Sequence, residues 1–380
     1  MKRLTLVSAI LASVCSIAAV AAQRNQTQFV LQDAEGSQLQ AGDALVADGA
    51  GKVALYRGNS FVVTLNDPED LVGRRGTSTT PLYVTDAQGN AVRGDLASFS
   101  GDLFVSAEAP QIVMPDRASV VAREASRKAA GHGGHGGGSS PLMTAHGGTV
   151  LTSNKTMAIF WGTSWTTYTG DIITGIDSFF RGWGGSGIAG DSTEYAGTNG
   201  QVSATSTYLG YTIDTSTVPT KALSTSQAVA EACKIANNNP DPLGVYFIYT
   251  STGAGHVSYC AWHSWGTCSN GAQVQVAYMP NITGIAGCDP GSTVAGQSEG
   301  LAALANVTSH ELSEAITDPR GAGWFDSSGA ENGDKCAWAF NGDVTLNNGS
   351  TWLLQGEWSN AAYTANSGYP NLSGQNGCLN

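Results

Sequence analysis

The sequence predicts an α/β fold, a mixed sheet with packed helices, preceded by a small all-β domain. Three observations predict it. Between Gln23 and about Ala122, short apolar runs are separated by turn pairs such as Asp48-Gly49 and Gly58-Asn59. From His146 onward, strand-like apolar runs alternate with helix-period segments, the pattern of a sheet covered by helices. The longest helix-period segment, Ser298 to Asp318, has an N-cap Ser and stops at Pro319.

The elements follow in order. Lys2 and Arg3 precede the apolar run Leu4 to Val20 and the small residues Ala21-Ala22, which reads as a secretory signal peptide over residues 1–22. Phe29-Val-Leu, Val53 to Tyr56, Ser60 to Leu65, Pro81 to Val84 and Leu103 to Ser106 are the strands expected of a β-rich pro-segment or accessory domain, residues 23–122. Residues 123–144 are Gly-, His- and Ser-rich and read as a linker, with Arg123, Arg127 and Lys128 as cleavage candidates. In residues 145–380, strands are expected at Thr156 to Trp161, Ser206 to Asp214, Gly244 to Thr250 and Gln273 to Tyr278. Helices are expected at Asp171 to Trp183, where Ile172, Ile176, Phe179, Phe180 and Trp183 share a face, and at Ser224 to Asn238.

Composition narrows the setting. The 380 residues include 49 Gly, with 13 % charged and 41 % apolar residues, enough for a core in a loop-rich chain. The net charge of −12 disfavours nucleic acid and anionic membranes as partners. Setting aside Cys15 in the signal peptide, Cys233, Cys260, Cys268, Cys288, Cys336 and Cys378 form an even set, as expected for disulfides in an extracellular, periplasmic or cell-wall setting. The expected pairs are Cys260–Cys268, Cys336–Cys378 and Cys233–Cys288. No CxxC spacing suggests a thiolate metal site.

The chemistry concentrates in Ser309-His-Glu-Leu-Ser-Glu-Ala-Ile-Thr-Asp-Pro319, which spells a zinc-protease helix except that Glu314 stands where a second His is expected. Leu301, Leu304, Val307, Leu312, Ala315 and Ile316 form a broad apolar arc, His310 and Glu314 stack at its margin, and Glu311 points into it. A carboxylate on the core side of a helix is costly unless a cation or donor meets it. His310 and Glu314 are therefore expected metal ligands, with Asp334 or Glu331 of the Trp324 to Cys336 loop as the third. Glu311 is the expected general base on a metal-activated water. Zinc or another divalent cation is implied, and the second carboxylate brings calcium or manganese into range. His256 and His263 are candidate substrate-binding donors, with a structural role inside the disulfide-rich region as the competing reading. The domain so defined is zincin-like, and the function expected is a secreted metal-dependent peptidase acting on a protein or peptide. The alternative is a non-catalytic extracellular protein that binds a cell-wall polymer such as a glycan. A glycosidase, with paired carboxylates, is a third possibility.

His146-Gly-Gly-Thr-Val-Leu-Thr152, Met157 to Trp165, and Val245 to Thr250 leading to Cys260-Ala-Trp-His263 resemble the phosphate-induced protein 1 (EXORDIUM-like) family. The resemblance covers roughly Ala145 to Cys336 and implies secretion and a shared core fold. The His310 to Pro319 helix, the Glu331 to Cys336 loop and Trp358-Ser-Asn360 resemble secreted bacterial proteins of zincin-like character.

Overall fold

The computed structural model describes residues 108–131, 140–255 and 257–380, and short stretches between residues 31 and 106. The expected signal peptide lies outside the described residues, as do His132, His135 and His256. The chain divides into two units, Met1–Gln111 and Ile112–Asn380.

In the first unit every described element is a strand. Asp43–Ala47, Lys52–Arg57 and Ser60–Asn66 form an antiparallel meander. Leu31–Gln32, Leu82–Thr85 and Phe104–Ser106 form a second three-stranded sheet.

The second unit is mixed α/β. Its strands are β1 (Ile112–Pro115), β2 (Asn154–Trp161), β3 (Ser206–Asp214), β4 (Gly244–Thr250), β5 (Tyr259–Thr267) and β6 (Gln273–Met279). They lie in the order β3-β2-β4-β6-β5-β1. The first four of these run parallel, β5 is antiparallel to β6, and β1 is antiparallel to β5. The burial of all seven residues of β4 fits its place inside a sheet covered on both faces. The half-exposed alternation of β3 fits an edge.

Period-two alternation sorts the core into two layers. Phe160, Val245, Phe247, Tyr249, Ala261 and Ala277 face α2 (Ile172–Trp183) and α4 (Glu299–Thr317). Ile159, Tyr246, Ile248, Trp262, Val276 and Tyr278 face α3 (Thr225–Ile235). Helix α3 starts with a reciprocal cap between Ser224 and Gln227, a device that fixes its first turn. Helix α4 is capped by Ser298, whose hydroxyl accepts from Leu301 N at 3.1 Å. Unlike a surface helix, α4 is buried all round from Gly300 to Thr317. The sheet covers one side, and loops around Trp338, Leu354 and Trp358 cover the other. The single apolar arc expected from the sequence is thus only half of its buried surface.

Two segments fall differently from the domain limits expected at residues 122 and 145. Ile112–Pro115 joins the large sheet, and α1 (Arg117–Gly131) runs through Arg123, Arg127 and Lys128 in what composition marked as linker. The reason is local: Ala, Arg, Lys and Glu through this stretch are strong helix formers, and the Gly run begins only at Gly131.

The disulfides are Cys233–Cys268, Cys260–Cys288 and Cys336–Cys378. Only the last matches the expected pairing. Cys260 lies in β5 and Cys268 just past its end, so an extended strand holds them about 25 Å apart. Cys233–Cys268 ties α3 to β5, closing a sequence separation of 35 residues. Replacing both with Ser is expected to lower unfolding free energy by about 3–4 kcal/mol, read from urea denaturation. Three disulfides fit an oxidising, extracellular environment. Among the described residues no helix is long and apolar enough to cross a membrane.

Candidate metal centre

Helix α4 contributes three polar side chains to the centre, His310, Glu311 and, one turn on from His310, Glu314, all fully buried. Strand β5 contributes His263, which the alternation along the strand turns toward α4 while Trp262 turns away. The short helix α5 (Asn332–Lys335), with Glu331 at its N-cap, brings Asp334.

Two groups of possible ligand atoms result, His310 with Glu314 and Asp334, and His263 with Glu311 and Glu314, the atoms of each lying within 4.8 Å of one another. Glu314 belongs to both. Its Oε1 lies 3.0 Å from His310 Nε2 and accepts from Asp334 N at 2.9 Å. Its Oε2 is 3.6 Å from His263 Nδ1 and accepts no hydrogen bond. Glu311 is held from two directions: Oε1 accepts from Met114 N at 3.2 Å, and Oε2 lies 3.0 Å from His263 Nδ1.

His310 is oriented from behind by Gln355, whose Nε2 lies 2.9 Å from both His310 Nδ1 and Gly333 O. Gln355 is itself fixed, its Oε1 accepting from Trp338 N at 3.2 Å and its N donating to Asn306 Oδ1 at 2.8 Å. With an amide N–H on Nδ1, the imidazole proton sits on Nε2, 3.0 Å from Glu314 Oε1. If His310 held a cation at Nε2, its proton would sit on Nδ1, where Gln355 would have to present its oxygen.

The electrostatics call for positive charge. Glu311, Glu314, Glu331, Asp334 and Glu357 are all buried around two imidazoles. The nearest ammonium, Lys335, pairs instead with Asp326 at 2.8 Å and lies 4.4 Å from the Trp358 ring centre. Asp326, part of the acidic loop read from the sequence, therefore serves the fold. Burial, with the charges of Glu314 and Asp334, raises the Glu311 carboxyl well above the usual carboxylate range. Burial and then Glu314 and Asp191 do the same to Glu357. Burial pulls His310 down, but Glu314 and Asp334 outweigh it and leave the imidazole raised. Each shift is the response of a group held in an excess of buried negative charge, which a divalent cation would relieve.

The donor set fits such an ion. Each group offers one imidazole and two carboxylates, a set within the range of zinc or manganese and short of the six to eight oxygens that calcium takes. Gly333 lets α5 lie close against the centre: a Cβ there would meet His310 Nδ1 at 2.9 Å and Glu314 Oε1 at 3.1 Å. Gly333→Ala is expected to cost about 1–3 kcal/mol and weaken cation binding, measured by thermal unfolding with and without added zinc.

Of the residues expected from the sequence, His310, Glu314 and Asp334 come together as one group, with Glu311 beside it. Glu331 is buried but belongs to neither group, its Oε2 lying 3.9 Å from His263 Nε2. His263, a candidate for substrate binding or for a structural role, faces Glu311 and Glu314. Gln355, Glu357 and the Met114 amide carry no sequence signal, because each is brought in by a loop or strand with no periodicity pointing to the centre.

Comparison with known proteins gives no matching family model, no matching curated protein and no matching solved structure. The reading of the centre therefore rests on its own chemistry.

Proposed function

We propose that the chain is a secreted, metal-dependent hydrolase of peptide bonds with a zincin-like second unit. In it His310, Glu314 and Asp334 hold a divalent cation and Glu311 is the general base. The observation that carries this reading is Glu311 itself: a fully buried carboxylate one residue from a ligand His, with its proton affinity raised. A bound cation would supply Lewis acidity, polarising water and a carbonyl oxygen.

The chain's own residues would do the rest. Glu311 would take a proton from water and return it to the leaving nitrogen, the cation's charge offsetting the neighbouring carboxylates that raise its proton affinity. His263, 3.0 Å from Glu311 Oε2, holds that carboxylate in place. The helix beneath a mixed sheet, with an antiparallel strand supplying His263, supports the zincin-like description. The resemblance to the phosphate-induced protein 1 family supports secretion.

The burial of the whole centre favours a second reading, a non-catalytic extracellular protein in which the cation is structural. One experiment separates them. Purified chain is assayed for metal content and for casein hydrolysis, before and after dialysis against a chelator, alongside His310→Ala. The hydrolase reading expects one tightly held cation per chain, hydrolysis lost on chelation and restored by zinc, and neither in the variant. Stoichiometric metal without hydrolysis leaves the structural reading. No stoichiometric metal overturns both.

A further inference from the structure

A centre that cleaves peptides has to admit them, yet its six side chains, His263, His310, Glu311, Glu314, Glu331 and Asp334, are only 0 % to 9 % exposed. On the sheet side the cover is β1. It is the outermost strand, antiparallel to β5, with Ile112 opposite His263, Val113 opposite Trp262 and Met114 opposite Ala261. The Met114 side chain is fully buried in the core layer that holds Cys260 and Ala261. Trp338 Nε1 donates to Pro115 O at 3.1 Å, and Asp116 N donates to Ser258 O at 3.1 Å.

The contact with the centre is made by backbone. Met114 N, the nitrogen of the Val113–Met114 peptide bond, lies 3.2 Å from Glu311 Oε1. That is the kind of atom that receives a proton when a peptide bond breaks. A strand laid on a sheet edge gains affinity from main-chain hydrogen bonds and selectivity from alternate side chains. β1 has this form: four extended residues, an apolar side chain in a closed niche, and an amide nitrogen presented to the carboxylate read as the base.

We propose that the edge of β5 now paired with β1 is a binding site for an extended peptide. The peptide runs antiparallel to β5 with an apolar residue in the Met114 niche, and Ile112–Pro115 occupies the site as a built-in competitor. The identity of the bound peptide as a substrate rests on the hydrolase reading; the strand-binding edge does not. The composition around β1 suits a removable occupant. No cysteine lies between residues 112 and 131, so no disulfide ties β1 or α1 to the rest, and a Gly-rich stretch follows at residues 131–138.

The test uses the full chain and its Met114→Pro variant. Proline removes the N–H that reaches Glu311 and places a ring there, weakening the built-in strand. The probe is a fluorescent peptide of residues 111–116, Gln-Ile-Val-Met-Pro-Asp. The variant is expected to bind it at least about ten-fold more tightly than the parent chain, since the competitor no longer fills the edge. It is also expected to hydrolyse casein about ten-fold faster. Hydrogen exchange at Tyr259–Thr267 should rise in the variant and fall again when peptide is added. Peptide binding without hydrolysis supports the edge and overturns the hydrolase reading alone. Unchanged peptide affinity and unchanged exchange overturn the proposal, even if both chains hydrolyse casein. If the variant fails to fold, the full chain is nicked at a protease site inserted in residues 132–139, with both pieces retained. A nicked chain that neither binds the peptide nor gains hydrolysis also overturns the proposal.

Discussion

Glu311→Gln is expected to lower kcat/KM for a peptide substrate by about 10³-fold while leaving the cation content of the protein unchanged. The substitution is nearly isosteric. A glutamine oxygen still accepts from Met114 N, and its amide can donate to His263 Nδ1, the two contacts that hold Glu311. What it cannot do is take up and return a proton. Stability should move the other way. Glu311 sits fully buried beside Glu314, with its carboxyl raised well above the usual range by burial and neighbouring charge. Removing that charge relieves a burial cost, so the variant should unfold at the same temperature as the parent or higher. Loss of activity with intact metal and unreduced Tm is the signature of a general base. Loss of metal would reassign Glu311 as a ligand within the His263 group.

The second large effect is expected at Glu314, the residue that both ligand groups share. Glu314→Ala deletes the acceptor for Asp334 N and the partner of His310 Nε2. In the cation-free chain two consequences oppose each other. An amide N–H and an imidazole lose their partner, while Glu311 and Glu357 lose a repelling neighbour. The decisive readout is therefore the response to metal. At a thousand-fold excess of zinc over Kd the parent chain should gain about 4 kcal/mol of apparent stability, and the variant should gain none. A variant that still melts higher with zinc would exclude Glu314 from the centre.

How far the sequence leads differs from element to element. Strand β4 and helices α2 and α3 are legible because each states its burial in its own period: a continuous apolar run, an apolar face, a reciprocal N-cap. Helix α4 is legible as a helix and as the bearer of His310, Glu311 and Glu314, but not as a helix buried on every side. Its second cover comes from residues 319–380, loop-rich and aromatic, where no period announces a partner. His263 reads more readily as a structural than as a functional residue until β5 is set against α4. Strand β1 is not among the strands expected of the N-terminal block in which its residues fall, because so short an apolar run announces neither a strand nor the sheet it joins.

By itself, then, the sequence determined several local facts: the strands β2, β3, β4 and β6, the helices α2 and α3, where α4 begins and ends, and that a His and two Glu share its C-terminal half. Those follow from side-chain period, caps and breakers acting over a few residues. The tertiary structure alone decided that Asp334 rather than Glu331 joins His310 and Glu314, that Cys233 pairs with Cys268, and that Met114 N reaches Glu311. These are long-range choices. They depend on which surfaces bury one another best across the whole chain, and no local pattern encodes that competition.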